Sequence, residues 1–570
     1  MKKTLQKLTC LMITFLALGC SQASIFDNSS GESSKNSSPK SSEASGSSEA
    51  SNSSSSTQPE PYSPAVPILK FTAEDISFAT TATKSDLSRP KISGKFSLSN
   101  CEKKYEFSDV VGTMKVRGNQ TAGWRKKGFK IKFGSSRNML GLNHGYSYKE
   151  WILLADAKDT TLVRTALGLY VAKGICEDEE QIWVSDYTPV SVYLNDQYWG
   201  FYYLAEQKEV NTGRVNLAKP KDNYEGVDIG YCFELDHYAD SAGAADEASE
   251  IKKGVDGDPT FRMKYSPSMQ QGSPSGPLAT GQVCTYTMLS EITDGPSDEH
   301  VQADYSSVNE RSGVPNSNAT KTSNSNQLSF IRARMEALYQ VLYYATKGQA
   351  KEITDDNQVI AATNDKSVQQ VMEQHFDLDS WVDGYILNAF TVAPDLGYSS
   401  FYMSYDNTPT GDHKLRYDVP WDFDSNFGNR NNFYVNAEGD EYVNNTYNTW
   451  LYSLSKLSFF KNMVKAKWNK IREAKLFENM FAMLNNHFKD HDGEIRKNHE
   501  KWPENDAAHT RGADGQPVYY NNFDEIRNPY KEPSQYKEAE AETISWCAKR
   551  VNYLEKQWGN NRPNVSTGAQ

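Results

Sequence analysis

The chain has 570 residues, enough for one large domain or two ordinary ones, and a formal net charge of −12. An acidic balance argues against nucleic acid as a partner, because binding to a phosphate backbone is driven by clustered Lys and Arg. Apart from one run near the N-terminus there is no long apolar stretch, so no second membrane segment is expected.

The chain opens MKKTLQKLTCLMITFLALGC, with Lys2, Lys3 and Lys7 ahead of an apolar run from about Leu8 to Leu18. That run is about half the roughly 20 residues a membrane span needs, so residues 1–19 are expected to be a signal peptide. Gly19, Cys20 and Ser21 resemble a lipobox, in which the Cys20 thiol is lipidated; Leu18 beside the cut and Ala17 where Leu is usual depart from it. Acyl chains there would anchor the chain through buried methylenes, at about 0.8 kcal/mol each. Residues 20–67 are dominated by Ser, Asn, Glu, Pro and Gly. Such a segment cannot bury enough apolar surface to offset its ordering entropy and is expected to be a disordered tether, with a reach on the order of 40 Å. The placement implied is the bacterial cell envelope, with the chain exported and lipid-anchored at the outer membrane or cell surface.

From Phe71 to Phe107 the pattern is of short strands broken by turns, and Val110–Val116 leads into RGNQTAGWRKKGFKIKF. Within it Phe129, Ile131 and Phe133 alternate with Lys130 and Lys132, the period of a half-buried strand. EWILLADAKDTTLVRTALGLYVAKGI places Asp159 or Thr160 as the N-cap of a helix over about Leu162–Lys173, with Gly174 at its end. Val190–Leu194 and Tyr198–Ala205, joined by Asn195 and Asp196, read as a hairpin. Ile229–Leu235 is another strand. Residues 240–326 turn polar and are expected to form a surface insertion within one domain spanning 68–558. Helices are expected over Gln327–Thr346, Ser367–His375 and Leu378–Phe390, and again from about Thr449 to Trp558, followed by a disordered tail over 559–570. Beyond Cys10 and Cys20, Cys101, Cys176, Cys232, Cys284 and Cys547 are widely spaced, which suits buried thiols with at most one or two disulfides.

Two segments suggest chemistry. The basic turn and strand from Arg117 to Phe133 suit polyphosphate, since backbone N–H groups can approach closely and ammonium groups neutralise charge; a solvated strand face is the alternative. The acidic segment LRYDVPWDFDSNFGN sets Asp422 and Asp424 on either side of Phe423. Neighbouring carboxylates repel unless a cation or donors sit between them, so a divalent metal is the economical explanation.

In order along the chain, RGNQT, KKGFKIKF, EWILLADAKDTTLVRTALG, PVSVYLNDQYWGFYYLAEQKE, IGYCFELD, DLGYSSFYMSYD and PWDFDSNFG resemble the CotH kinase family, secreted relatives of the protein kinases. The resemblance implies an α+β, atypical protein-kinase-like fold with a β-rich N-terminal lobe and a mainly helical C-terminal lobe. It implies ATP with Mg²⁺ or Mn²⁺ as cofactors, and transfer of phosphate to Ser or Thr of an exported or surface protein. It gives Asp395 the catalytic role, Asp422 and Asp424 the metal, and Arg117, Gly118, Asn119, Lys127 and Lys130 the nucleotide phosphates. Lys127 is favoured over Lys130 and Lys132, with Glu206 as its partner. The Ser-rich tether offers acceptors for self-phosphorylation.

The pattern departs where kinases place a metal-binding Asn after the catalytic Asp; here stand Ser399 and Ser400. A catalytically degenerate surface-binding or assembly lipoprotein is therefore the alternative. A metal-dependent hydrolase is disfavoured by the shortage of histidines near the acidic motif, where only His413 stands close.

Overall fold

The computed structural model describes residues 64–81, 89–118, 120–176, 182–236, 258–263, 284–295, 300–303, 319–320, 325–363, 365–397, 399–429, 436–439, 449–502, 510–511, 517–518 and 535–568. The expected signal peptide, Cys20, the tether up to residue 63 and Asn119 lie outside them.

Seven strands form the N-terminal part: β1 (Ile68–Thr72), β2 (Ile92–Ser99), β3 (Phe107–Arg117), β4 (Gly128–Arg137), β5 (Tyr148–Leu154), β6 (Tyr187–Leu194) and β7 (Gln197–Glu206). They pair in the order β1-β2-β3-β4-β5-β7-β6, and β6 returns parallel to β1, so the sheet closes into a barrel. Alternation decides what fills it. Phe129, Ile131 and Phe133 of β4 point inward beside Phe71, Phe96, Met114, Trp151 and Val192. The intervening Lys130 and Lys132 point outward and share Glu150, at 2.6 and 2.7 Å. Helix α1 (Phe78–Thr81) adds Phe78 against Phe71 and Phe129. Between β6 and β7, Asn195 and Asp196 both take positive φ, the two-residue turn whose twist matches the strands. The β-rich N-terminal part is thus as the sequence suggests, but its strands close into a seven-stranded barrel rather than showing the particulars of a kinase lobe.

The second sheet runs β12-β11-β9-β10-β8-β15-β16, built from β8 (Gly230–Leu235), β9 (Thr260–Met263), β10 (Cys284–Met288), β11 (His300–Ala303), β12 (Ala319–Thr320), β15 (Phe401–Asp406) and β16 (Leu415–Asp418). Four of these strands fall in the stretch expected to be a surface insertion, and that expectation is corrected. Phe261, Met263, Tyr286 and Met288 are buried in the main core, and Phe261 stacks on Tyr286 at 4.9 Å. Short hairpins β13 (Lys351–Ile353) with β14 (Val359–Ala361), and β17 (Thr510–Arg511) with β18 (Pro517–Val518), stand apart from both sheets.

Helix α2 (Arg164–Cys176) stands in the chain between barrel strands β5 and β6 and packs on helices of the C-terminal part. Asp159 accepts from the backbone N–H groups of Thr161, Val163 and Arg164 at 2.8 to 2.9 Å and so caps it. Gly174 does not end the helix, which continues to Cys176; a Cβ there would lie 2.2 Å from Leu476 Cδ1. The rest is mainly helical: α3 (Asn326–Thr346), α4 (Val368–His375), α5 (Leu378–Thr391), α6 (Thr449–Leu454), α7 (Ser458–Glu473), α8 (Leu476–Asp490), α9 (Asp492–Lys501) and α10 (Tyr536–Trp558). Ser367 closes a capping box on α4, Ser325 caps α3 and Asp377 caps α5. Central α5 packs on α2, α7 and β16 and carries fully buried Trp381.

The expected disordered tail is also corrected over 559–568. Arg562 pairs with Glu473 at 2.9 Å, its N–H donates to Glu555 at 2.9 Å, and Val565 is buried. Cys101, Cys176, Cys232 and Cys547 are free thiols, the last three buried. Among the described residues no helix is long and apolar enough to cross a membrane.

Candidate functional site

Three loops meet at the site. The first leaves β5 and caps α2, residues 155–163. Asp156 bonds Thr165 and Asp159 bonds Arg164, both at the start of the helix, which holds the intervening Lys158 pointing the other way. Its ammonium lies 3.3 Å from Asp424 Oδ1 and donates to Ser425 Oγ at 3.0 Å. Asn429 fixes the approach from behind, donating to the carbonyls of Lys158 at 3.1 Å and of Asp424 at 2.7 Å.

The second loop follows β16. Asp422, Phe423 and Asp424 split by environment: Asp422 is exposed, Phe423 is buried in the main core, and Asp424 is half-buried. Asp422 takes a positive φ of 64°, an uncommon conformation for a residue with a Cβ. Phe423 packs on Gly168 in the middle of α2, so close that a Cβ on Gly168 would meet its Cγ at 2.0 Å. The third loop follows α5 and contains Asp395, half-buried, whose carbonyl accepts from the Ser399 N–H at 3.0 Å. Ser400, also at positive φ, donates its hydroxyl to Asp422 Oδ2 at 3.2 Å.

Electrostatics tie the three loops together. Burial works against charge on Lys158, but Asp424, Asp422 and Asp395 around it hold its ammonium above the usual lysine range. The Asp424 carboxyl is raised, first by burial and then by Asp422, with Lys158 opposing. Around Lys158 the carboxylates outnumber the ammonium three to one. Carboxylate and hydroxyl oxygens are the donors a hard divalent cation takes, so the donor set fits Mg²⁺ or Mn²⁺. Among the described residues no three His, Cys, Asp or Glu side chains form a ready cage. Mg²⁺ does not require one, since it is usually held by one or two carboxylates together with phosphate and water.

The basic segment is arranged differently from its reading as a phosphate cradle. Lys127 is buried and donates to the carbonyls of Ala122 at 2.8 Å and Trp124 at 2.5 Å, pinning the turn after β3 from within. Lys126 donates to the carbonyls of Ala155 and Phe201, each at 2.6 Å, and burial pulls its ammonium down to about 7. Lys130 lies outside the barrel on Glu150. Arg117 places its guanidinium 5.8 Å from the Trp421 ring, next to Asp422. Gly118 takes φ +99°, where a Cβ would strike Thr121 Oγ1 at 2.2 Å, so the turn needs glycine. Glu206 is buried and pairs with Arg214, at 3.2 Å to Nε, rather than with a lysine; it also accepts from Asn143 at 2.6 Å and the Asp186 N–H at 2.9 Å.

The structure therefore gathers Asp395, Asp422 and Asp424 and adds Lys158, which the sequence reading missed. Its signal was an isolated lysine between Asp156 and Asp159 in a loop that caps a helix. Lys208 and Glu234, 3.3 Å apart, were also missed; Glu234 accepts from the Ser400 N–H at 2.7 Å.

A family model described as CotH kinase protein matches residues 114–265 and 299–553, most of the chain and all of the loops just described. The unmatched 266–298 falls inside the polar stretch between β8 and α3. No curated protein matches the chain. With the acidic site and its supporting elements lying within the matched segments, the chain belongs to the CotH kinase protein family.

Proposed function

We propose that the chain is an exported, ATP-dependent atypical protein kinase that phosphorylates Ser or Thr hydroxyls of surface or exported proteins. The observation that carries the reading is the convergence on the ammonium of Lys158 of Asp422 and Asp424 from one loop and Asp395 from another. Catalysis of phosphoryl transfer is mostly positioning and charge neutralisation, and this is a site built for both. Asp422 and Asp424, helped by the Ser400 hydroxyl, would hold Mg²⁺ or Mn²⁺. The cation supplies neutralisation of the nucleotide phosphates when bound. Asp395 accepts the proton of the acceptor hydroxyl while that oxygen bonds the γ-phosphorus and the bond to the β-phosphate oxygen breaks, leaving ADP. Lys158 favours the ionised form of Asp424 against the effect of burial and fixes its orientation.

The test uses purified chain, γ-labelled ATP and Mg²⁺ or Mn²⁺, with thermal shift in parallel. Label transfer and nucleotide-dependent stabilisation, both lost in Asp422→Ala, support the kinase; label between Ser21 and Ser63 would identify the tether as an acceptor. The second reading, a binding or assembly lipoprotein, is favoured by Ser400 standing where kinases carry Asn. It predicts no label transfer from ATP to any acceptor. Lipid anchoring rests on the Gly19-Cys20-Ser21 pattern, and recovery of a Cys20→Ser variant in the membrane fraction at wild-type level would sink it.

A further inference from the structure

A kinase site needs a lysine for the nucleotide phosphates, steadied by a glutamate. Lys127 sits on turn carbonyls, Lys130 on the outer barrel face, and Glu206 on Arg214. Another lysine and glutamate stand beside the acidic loops. Lys208 follows β7, and Glu234 lies on β8 directly opposite Tyr402 of β15. One Glu234 oxygen accepts from the Ser400 N–H at 2.7 Å; the other accepts from the Tyr402 hydroxyl and faces Lys208 Nζ at 3.3 Å. Through the Ser400 hydroxyl, 3.2 Å from Asp422, the same glutamate is tied to the acidic pair. Lys208 lies 4.3 Å above the Tyr402 ring and 6.0 Å from that of Trp421, the residue before Asp422. Arg117 approaches the same indole at 5.8 Å, and Trp183 stacks on it at 6.4 Å.

Among the described residues the lysine side chain, 22% exposed, makes one hydrogen bond, to Glu234. An ammonium has three donors, so the other two are available to a ligand entering beside Asp422. Charge-assisted bonds from an ammonium to phosphate oxygens are among the stronger hydrogen bonds. We propose that Lys208, steadied by Glu234 and flanked by Arg117, binds the phosphates of the nucleoside triphosphate at this site.

The assignment rests on the kinase reading, and the experiment separates the two. Binding of ATP with Mg²⁺ is measured by calorimetry for wild type, Lys208→Met and Lys208→Arg, with the melting temperature of each nucleotide-free protein recorded. The expected result is affinity weakened about tenfold or more in Lys208→Met, largely restored in Lys208→Arg, with similar nucleotide-free melting temperatures. Wild-type affinity in Lys208→Met overturns the assignment while the kinase reading stands. A loss that Lys208→Arg does not restore, accompanied by a lowered nucleotide-free melting temperature, makes Lys208 structural and also overturns it. Wild type that binds no nucleotide overturns the kinase reading and the assignment with it.

Discussion

Replacing Gly168 by Ala should loosen both the fold and the acidic site. In an isolated helix the substitution gains about 1 kcal/mol, because glycine carries the larger unfolded-state entropy. Here the new methyl would sit 2.0 Å from Phe423 Cγ, 2.4 Å from its Cβ and 2.5 Å from Cδ1. Ordinary carbon contacts are about 3.5 to 4.0 Å, so the ring and its backbone must retreat by roughly 1.5 Å. Overpacking of that kind costs about 1 to 3 kcal/mol, which cancels the helix gain or exceeds it. The displacement falls on the residue between Asp422 and Asp424, and misplacing a reacting group by about 1 Å can cost on the order of a hundredfold in rate. Gly168→Ala should therefore unfold at lower urea and lose most of its response to ATP with Mg²⁺. Gly174→Ala in the same helix is the control: its methyl meets the end of Leu476, a flexible side chain away from the acids, and the response should survive. A Gly168→Ala protein as stable as wild type with an unchanged response would refute the packing argument.

Two further outcomes follow from the structure. Glu206→Gln turns one of its oxygens into a donor facing Asn143, the Asp186 N–H or Arg214, and should cost about 2 to 4 kcal/mol in urea unfolding while leaving the nucleotide response intact; an intact fold with the response gone would put Glu206 in the nucleotide site. His375 is held near 4 by burial, with Arg334 adding to it. As pH falls below the ordinary value of 6.5 the unfolded chain takes up this proton before the native one, so wild-type stability drops from that pH toward 4, by about 3 kcal/mol in all. Its Nε2 is buried without a hydrogen-bond partner among the described residues, so His375→Leu should cost little at pH 7 and gain on wild type as the pH is lowered; denaturation midpoints that keep a constant gap from pH 7 to 4.5 would contradict this.

Local signals were legible where the backbone obeys them. The period-2 run Phe129, Ile131, Phe133 became an inward strand face, Asp159 became the helix cap, and Asn195-Asp196 became the hairpin turn. What the sequence could not show was closure: a parallel return of β6 to β1 joins segments more than a hundred residues apart and leaves no mark in either strand. Composition misled in the polar stretch, because β9 and β10 are short runs whose Phe261 and Tyr286 count for more than their Ser-rich surroundings. At the site, Asp422 and Asp424 announced themselves by spacing and Asp395 by the family resemblance, whereas the direction of a lysine is a property of packing. Lys127 and Lys158 each lie in basic or mixed runs, and only the fold turns one toward carbonyls and the other toward carboxylates.

The same geometry explains why the site and α2 form together. Lys158 is presented to Asp424 only because Asp156 and Asp159 are engaged on the first turn of α2, and Phe423 keeps its place only because Gly168 leaves room for it. The helix therefore holds the acidic loop at two points, by charge at its N-terminus and by shape at its middle. Loosening either contact frees the other carboxylate loops, since Ser400 ties Asp422 to the loop bearing Asp395. Three carboxylates around one ammonium repel one another, an arrangement that costs stability until a cation sits between them. A divalent cation with nucleotide would relieve that repulsion, so binding would tighten α2 against the loop after β16 and stabilise the native state in proportion to ligand concentration.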